Sequence, residues 1–380
     1  MEKISSPANP HVTFITREDQ LSELVAHCLT LEFVALDTEF VRFNTFYPKF
    51  GLVQVSDGRQ CYLIDPVAVT DLTPLKALLE AQHVVKILHS ASEDLEVFSH
   101  HLGCLPVPLH DTQIAAAMVG QGYSISYRAL VEQLTGTHLA KEETRSDWLQ
   151  RPLTDAQVKY AALDVAYLPE VYQVQCQLLA AKGRQEWLTD ECNRLMVSVS
   201  ENWDPENYYL RVKSAWKLDR QSLHLLSQMC IWREGEARRR DIPRSRVLAD
   251  KDLLSLARQT TDDLDSLEKV DLPPKQKKRY GDTLLALVKD ARQDSESQWP
   301  TLLERPPSGE DRILLQKLRD WIDRQAVELD CSPEILAKKK QLEAVLHSRD
   351  ASGEYHLPES FQGWRRAAIG DAMLAFLGTL

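Results

Sequence analysis

Apolar residues in the first half of the chain fall into short runs separated by polar, helix-forming stretches. Val34-Ala35-Leu36 reads as a buried strand. Leu52-Val53-Gln54-Val55-Ser56 and Cys61-Tyr62-Leu63-Ile64-Asp65 flank the turn dipeptide Asp57-Gly58, which predicts a hairpin. Val84-Val85-Lys86-Ile87-Leu88 supplies a fourth strand. Helices are expected near residues 74–81, 92–101, 112–119 and 126–134, with a long one from about Thr154 to Ala181. A three-stranded meander, crossover helices and a further strand make a mixed α/β domain.

After about residue 200 the strand signals vanish. Helical stretches divided by Pro-containing loops follow, with a linker at Trp299-Pro300 through Pro306-Pro307-Ser308-Gly309. This half repeats itself at an offset of 89 residues: Trp232 maps onto Trp321, Ala237 onto Ala326, Asp241 onto Asp330, and Gly281-Asp282 onto Gly370-Asp371. Leu284 and Leu285 map onto Met373 and Leu374. The expected division is an α/β domain over residues 1–205 and two helical bundles over 210–295 and 305–380.

Length agrees with this division, because 380 residues exceed what one core usually supports. With 43% apolar and 27% charged residues, the composition is that of a folded globular chain. Met1-Glu2-Lys3-Ile4-Ser5 lacks the basic-then-apolar run of a signal peptide, and no stretch approaches the ~18 apolar residues of a membrane span. A cytoplasmic protein with no membrane partner is expected. Seven scattered cysteines without C-x-x-C spacing suit reduced thiols. A net charge of −11 requires that any nucleic acid be held by local basic patches, while acidic residues gathered around cations contribute to the negative total.

Three segments carry candidate chemistry. Asp37-Thr38-Glu39 follows the first strand, where side chains two apart point the same way, so both carboxylates face one site. Oxygen ligands of this kind suit Mg²⁺ or Mn²⁺. The spacing alone is weak, since it recurs at Asp94-Leu95-Glu96, Asp204-Pro205-Glu206 and Asp294-Ser295-Glu296. In His89-Ser90-Ala91-Ser92-Glu93-Asp94-Leu95 a strand gives way to a helix with Ser92 as candidate N-cap; Asp94 there is equally a residue that complements the helix dipole. Tyr160-Ala161-Ala162-Leu163-Asp164 puts a phenol and a carboxylate on one helix face, the alternative being an ordinary surface pair. Together these pieces are what a two-metal phosphodiesterase needs: three or four carboxylates to hold two cations about 4 Å apart, and a hydroxyl to orient water.

Their order along the chain resembles the DEDDy exonuclease superfamily. Leu36-Asp37-Thr38-Glu39-Phe40, His89 through Glu96, Ser146-Asp147-Trp148 with Arg151-Pro152-Leu153, and Tyr160 through Val165 are similar to the motifs of the bacterial ribonuclease D family. Trp232-Arg233-Glu234, Ala237-Arg238, Asp241-Ile242-Pro243 and Val247-Leu248 resemble the helicase-and-RNase-D C-terminal (HRDC) module; the second copy departs, with Val327 where the first has Arg238. The resemblance covers nearly the whole chain. It implies a ribonuclease-H-like mixed sheet followed by two HRDC-type bundles, with two divalent metals on Asp37, Glu39 and Asp164, Asp94 helping through water, and Tyr160 positioning the nucleophile. It further implies 3′→5′ trimming of tRNA precursors and other small structured RNAs to nucleoside 5′-monophosphates.

Further candidates for substrate contact are Phe43 and Phe46, whose segment Arg42 through Tyr47 interleaves aromatic and basic groups; packing beneath the loop is the equal alternative. Gln157 and the basic residues Arg238 and Arg239 join them, with Arg240, Arg244, Arg246 and Lys275 through Arg279 nearby. His110-Asp111 has no second His-Asp set and reads as structural, and the chain has no Walker loop. A monomer is expected. The competing readings are a DNA-directed exonuclease with the same carboxylates and a non-catalytic RNA-binding adaptor.

Overall fold

The computed structural model describes residues 10–139, 146–201, 204–259, 270 and 272–380; Met1 through Ser5 lie outside them. In the N-terminal part the elements are β1 (Val12–Ile15), α1 (Glu18–Cys28), β2 (Phe33–Val41), β3 (Lys49–Ser56), β4 (Cys61–Ile64), α2 (Thr73–Glu80), β5 (Val85–Leu88), α3 (Ser92–Leu102), β6 (Leu109–Asp111), α4 (Thr112–Met118) and α5 (Tyr127–Thr135). Then come α6 (Asp155–Ala166), α7 (Leu168–Ala181) and α8 (Gln185–Glu201).

The strands form one mixed sheet in the order β1-β4-β3-β2-β5-β6. The expected meander is present: β2 pairs antiparallel with β3, and β3 with β4 through the Asp57-Gly58 turn, where Gly58 adopts φ +87°. β5 lies parallel to β2, as a crossover connection requires. The two strands missing from the sequence reading, β1 and β6, are the edges. With four and three residues they are too short to display a periodicity, and pairing to β4 and β5 defines them. The core beneath joins Ala35, Ile87, Leu130, Val165, Leu168 and Val171, all buried.

The single long helix expected from Thr154 to Ala181 is two helices. The chain turns at Tyr167, with φ −99° and ψ −8°, and Pro169 sits in the first turn of α7, where a missing N–H costs nothing. The Tyr167 N–H donates to the Tyr127 hydroxyl at 3.2 Å. Apolar spacing runs on through this break, so periodicity alone could not reveal it.

The chain forms two compact units. One comprises Met1–Val41, Lys49–Val197 and Pro307–Leu380; the other comprises Arg42–Pro48 and Ser198–Pro306. The second unit contains α9 (Arg220–Arg240), α10 (Arg244–Val247), α11 (Asp250–Arg258) and α12 (Pro274–Gln293) around Leu223, Leu226, Met229, Val247, Leu253 and Leu284. The segment Arg42–Pro48 packs with these helices: Phe46 is 2% exposed, lies 4.6 Å from the Arg244 guanidinium and 5.6 Å from that of Arg238, and its backbone N–H, like that of Tyr47, donates to Asp241 Oδ1 at 3.0 Å.

The first unit ends in α13 (Gly309–Leu329), α14 (Pro333–Leu336), α15 (Lys339–His347) and α16 (Asp371–Leu377). Helices α13, α14 and α15 each start and end 89 positions after α9, α10 and α11, so the repeat in the sequence is a repeat of helices. Both long helices stop at an aspartate with φ +47°, a left-handed conformation that Asp tolerates. Asp330 accepts from Lys182 Nζ at 2.5 Å, and Arg184, between α7 and α8, donates to the carbonyls of Leu329 and Asp330. Glu191 of α8 receives two bonds of 2.5 Å from the buried Arg365, beside Trp187 and Trp364 stacked at 4.3 Å. The seven cysteines are free, and no described helix is long and apolar enough to cross a membrane.

Truncation of the buried ring, Phe46→Ala, is expected to destabilise the helical unit by about 3 kcal/mol. Phe43→Ala, at an 82% exposed position, should shift stability by less than about 0.5 kcal/mol. Urea denaturation of both variants, followed by circular dichroism, checks the contrast.

Candidate active site

Strand β2 runs through the middle of the sheet and carries Asp37 and Glu39 at alternate positions, on one side of the pleat. Asp164 arrives from α6, which packs against β2, β3 and β4. One carboxylate oxygen from each of Asp37, Glu39 and Asp164 lies within 4.8 Å of the others. Among the described residues this is the group of acidic, histidine or cysteine ligands close enough to share a cation.

Asp94 lies in the first turn of α3 and is 7% exposed. Thr38, between the two acids of β2, donates its hydroxyl to Asp94 Oδ1 at 2.5 Å. The start of α3 is not capped by Ser92, which is already its first residue. Instead Asp111, 1% exposed at the end of β6, accepts from the backbone N–H groups of Ser90 and Ala91 at 3.2 and 2.9 Å, and from those of Gln113 and Ile114 at 2.8 and 3.2 Å. One buried carboxylate thus serves the turn before α3 and caps α4. It also holds Ser90 at φ +59°. His110 bonds Gln175 at 3.2 Å, and burial lowers its pKa to about 4, consistent with a structural imidazole.

Asp37, Glu39, Asp94, Tyr160 and Asp164 all line one open cleft of about 430 Å³, together with His89, Tyr127, Ser146 and Trp148. The last four carry no role in the sequence reading. Trp148 lies 5.9 Å from the Tyr160 ring, and its backbone crowds Gly51, where a Cβ would sit 2.8 Å from that of Trp148. Arg151 fixes this segment, bonding both oxygens of Asp65 at 2.6 Å and the Gly51 carbonyl at 2.7 Å.

Of the proposed substrate contacts, Gln157 does not line the cleft, and Phe43, Phe46, Arg238 and Arg239 belong to the second unit, where their own surroundings can be described. Phe43 is exposed, whereas Phe46 takes the packing alternative and offers no face to a base. Gln157 closes a capping box, accepting from the Thr154 N–H at 2.9 Å and donating to the Asp147 carbonyl at 3.2 Å. Arg238 is held by Glu234, which also binds Arg244, and Arg239 by Glu236, so much of this basic run is neutralised within its own helix.

Burial in the cleft penalises ionised carboxylates, and their neighbours add repulsion. Asp37 is raised well above the usual carboxylate range by burial and then by Asp94, Asp164 and Glu39. Burial, then Asp164 and Asp94, push Glu39 up to about 9. Burial brings Asp94 to about 7 despite its bond from Thr38. The Tyr160 phenol is raised by burial and by Asp164, to which it is hydrogen-bonded, and stays protonated. Hard oxygen donors crowded against their own repulsion fit a divalent cation.

A mixed sheet that gathers four acids in a single cleft, followed by helical modules, is the architecture of a metal-dependent nuclease. The family model for 3′-5′ exonucleases matches residues 12–174, and that for the HRDC domain matches 222–288. Ribonuclease D of Pseudomonas paraeruginosa is 43% identical over 96% of this chain and 97% of its own length; that of Escherichia coli is 36% identical over 94% and 96%. The crystal structure of Escherichia coli RNase D, described as an exoribonuclease involved in structured RNA processing, superposes with a TM-score of 0.88 at 35% identity, covering 97% of this chain and 99% of that one. The chain belongs to the ribonuclease D family and is a 3′→5′ exoribonuclease that binds nucleic acid and uses divalent metal.

A carboxyl with a higher pKa in the folded than in the unfolded state binds protons more tightly when folded, so its stabilising effect on the fold is lost as pH rises through the folded value. Metal-free protein should therefore melt at progressively lower temperature as pH rises from about 5 through 7, where Asp94 titrates, to about 9, where Glu39 does. Glu39→Gln should melt above wild type at pH 8 in EDTA and lose most of the stabilisation by Mg²⁺. Calorimetric scans across pH, with and without metal, measure both effects.

Proposed function

We propose that this enzyme trims the 3′ ends of tRNA precursors and other small structured RNAs, releasing nucleoside 5′-monophosphates one at a time. The observation that carries this reading is the convergence of Asp37, Glu39 and Asp164 oxygens within 4.8 Å, with Asp94 and Tyr160 lining the same cleft. Asp37, Glu39 and Asp164 would ligate two ions, Mg²⁺ or Mn²⁺, and Asp94, backed by Thr38, would contribute through water. When bound, such a pair supplies stabilisation of the attacking and leaving oxygens. Tyr160, neutral and tied to Asp164, orients the incoming water by hydrogen bonding. Water adds to phosphorus as the P–O3′ bond breaks, and the departing 3′ oxygen takes up a proton. The cleft's openness and its aromatic lining, Tyr127, Trp148 and Tyr160, suit the entry of a single-stranded end.

In this reading residues 1–205 are the catalytic domain and 210–295 and 305–380 are helical modules, of which the first assists RNA binding. Its exposed cations Lys275, Lys278 and Arg279 on α12 are better placed for phosphate than the paired Arg238 and Arg239. A monomer acting in the cytoplasm completes the proposal. The relative from Escherichia coli, described as acting in structured RNA processing, supports RNA over DNA. The presence of all four acids in one cleft speaks against a non-catalytic adaptor.

Incubation of 3′-labelled RNA with Mg²⁺ should release mononucleotides, and EDTA or a blocked 3′ hydroxyl should stop the release. Asp37→Asn is expected to lower the rate by more than about a hundredfold, since even changes to groups behind metal ligands cost 10–100-fold. Its circular dichroism should match wild type; substantial metal-dependent trimming by this variant would refute the assignment. Matched DNA should be degraded more slowly than RNA.

A further inference from the structure

Gln54 is a fully buried polar side chain in the middle of an apolar run of β3. Its neighbours in β3, Phe50, Leu52, Val53 and Val55, are buried and apolar, and Gln54 itself is 0% exposed. It is the register partner of Asp37 across the antiparallel β2–β3 pair, so the two side chains leave the same face of the sheet. Gln54 Nε2 donates to Asp37 Oδ2 at 3.4 Å, while Gln54 Oε1 is buried with no hydrogen-bond partner among the described residues.

A buried amide that makes one hydrogen bond and leaves its carbonyl oxygen unsatisfied is a poorer packing element than an apolar side chain of equal length, so packing does not account for it. Its one bond goes to the most crowded acid of the cleft. A neutral donor suits that place: it attracts the ionised carboxylate and adds no positive charge to compete with a cation. A lysine would neutralise the site, and an apolar residue would leave the carboxylate free to rotate.

Resting on the function proposed above, we infer that Gln54 is a positioning residue for metal binding. By holding one oxygen of Asp37 it sets the rotation of that carboxylate relative to Glu39 and Asp164. This is the role that hydrogen-bond partners behind metal ligands play generally.

The test uses the full-length chain and two variants that keep the volume but remove the donor, Gln54→Met and Gln54→Leu. Mn²⁺ affinity is measured by titration calorimetry, the metal-free melting temperature by scanning calorimetry, and nucleotide release by single-turnover kinetics. The expected result is a metal-free melting temperature at or above wild type in at least one variant, with Mn²⁺ binding weakened roughly 10–100-fold and release slowed at fixed metal. Unchanged Mn²⁺ affinity in a folded variant would overturn the role of Gln54 alone. So would weakening that only tracks a lowered melting temperature in both variants, because that is the signature of packing. Wild type that neither takes up Mn²⁺ nor releases nucleotides would overturn the metal-site reading itself, and Gln54's role with it.

Discussion

Like charges resist being gathered in a cleft partly removed from water, and Asp37, Glu39, Asp94 and Asp164 are gathered from three distant segments of the chain. Their raised proton affinities express that resistance. The folded scaffold overcomes it, and a divalent cation reverses its sign. The acids whose proton affinity burial and mutual repulsion raise are those whose hard oxygens suit a doubly charged ion.

The scaffold does this with uncharged or internally compensated devices. Strand β2 is central in the sheet, so Asp37 and Glu39 have little freedom to move apart. Asp111 organises the turn that brings in Asp94, and the turn between α6 and α7 is tied to Tyr127, whose hydroxyl also donates to the Leu163 carbonyl next to Asp164. The Arg151–Asp65 pair anchors the segment that carries Trp148. These supporting charges are kept in pairs or in backbone hydrogen bonds, while the acids Asp37, Glu39 and Asp164 converge where metal is needed.

The helices of the C-terminal half repeat one geometry with different partners. In both copies the first long helix ends on a left-handed aspartate, but Asp241 binds the backbone of Phe46 and Tyr47 whereas Asp330 binds Lys182. The first copy keeps Arg238 and Arg244 over Phe46. The second has the exposed Val327 in place of Arg238, and one of its arginines, Arg365, is committed to Glu191. The same helix geometry therefore supports different surfaces once the residues at the helix end and the partners change.

Much of this was legible in the sequence. The meander of strands, the hairpin at Asp57-Gly58, the repeat at 89 residues and the acids Asp37, Glu39, Asp94 and Asp164 depend on local pattern and on motif spacing, which a sequence states directly. Edge strands of three or four residues, the break at Tyr167 and the helix-start role of Asp111 depend on partners far along the chain, so no local period encodes them. The same holds for Phe46, Gln157 and Arg238, whose composition suited RNA contact until packing, a capping box and Glu234 claimed them. Sequence alone determined which chemical groups this protein owns and the order in which strands and helices present them, because those follow from residue type and short-range periodicity. Only the tertiary structure decided which of those groups face one another, because burial, charge proximity and hydrogen bonding between distant segments exist only after the chain has folded.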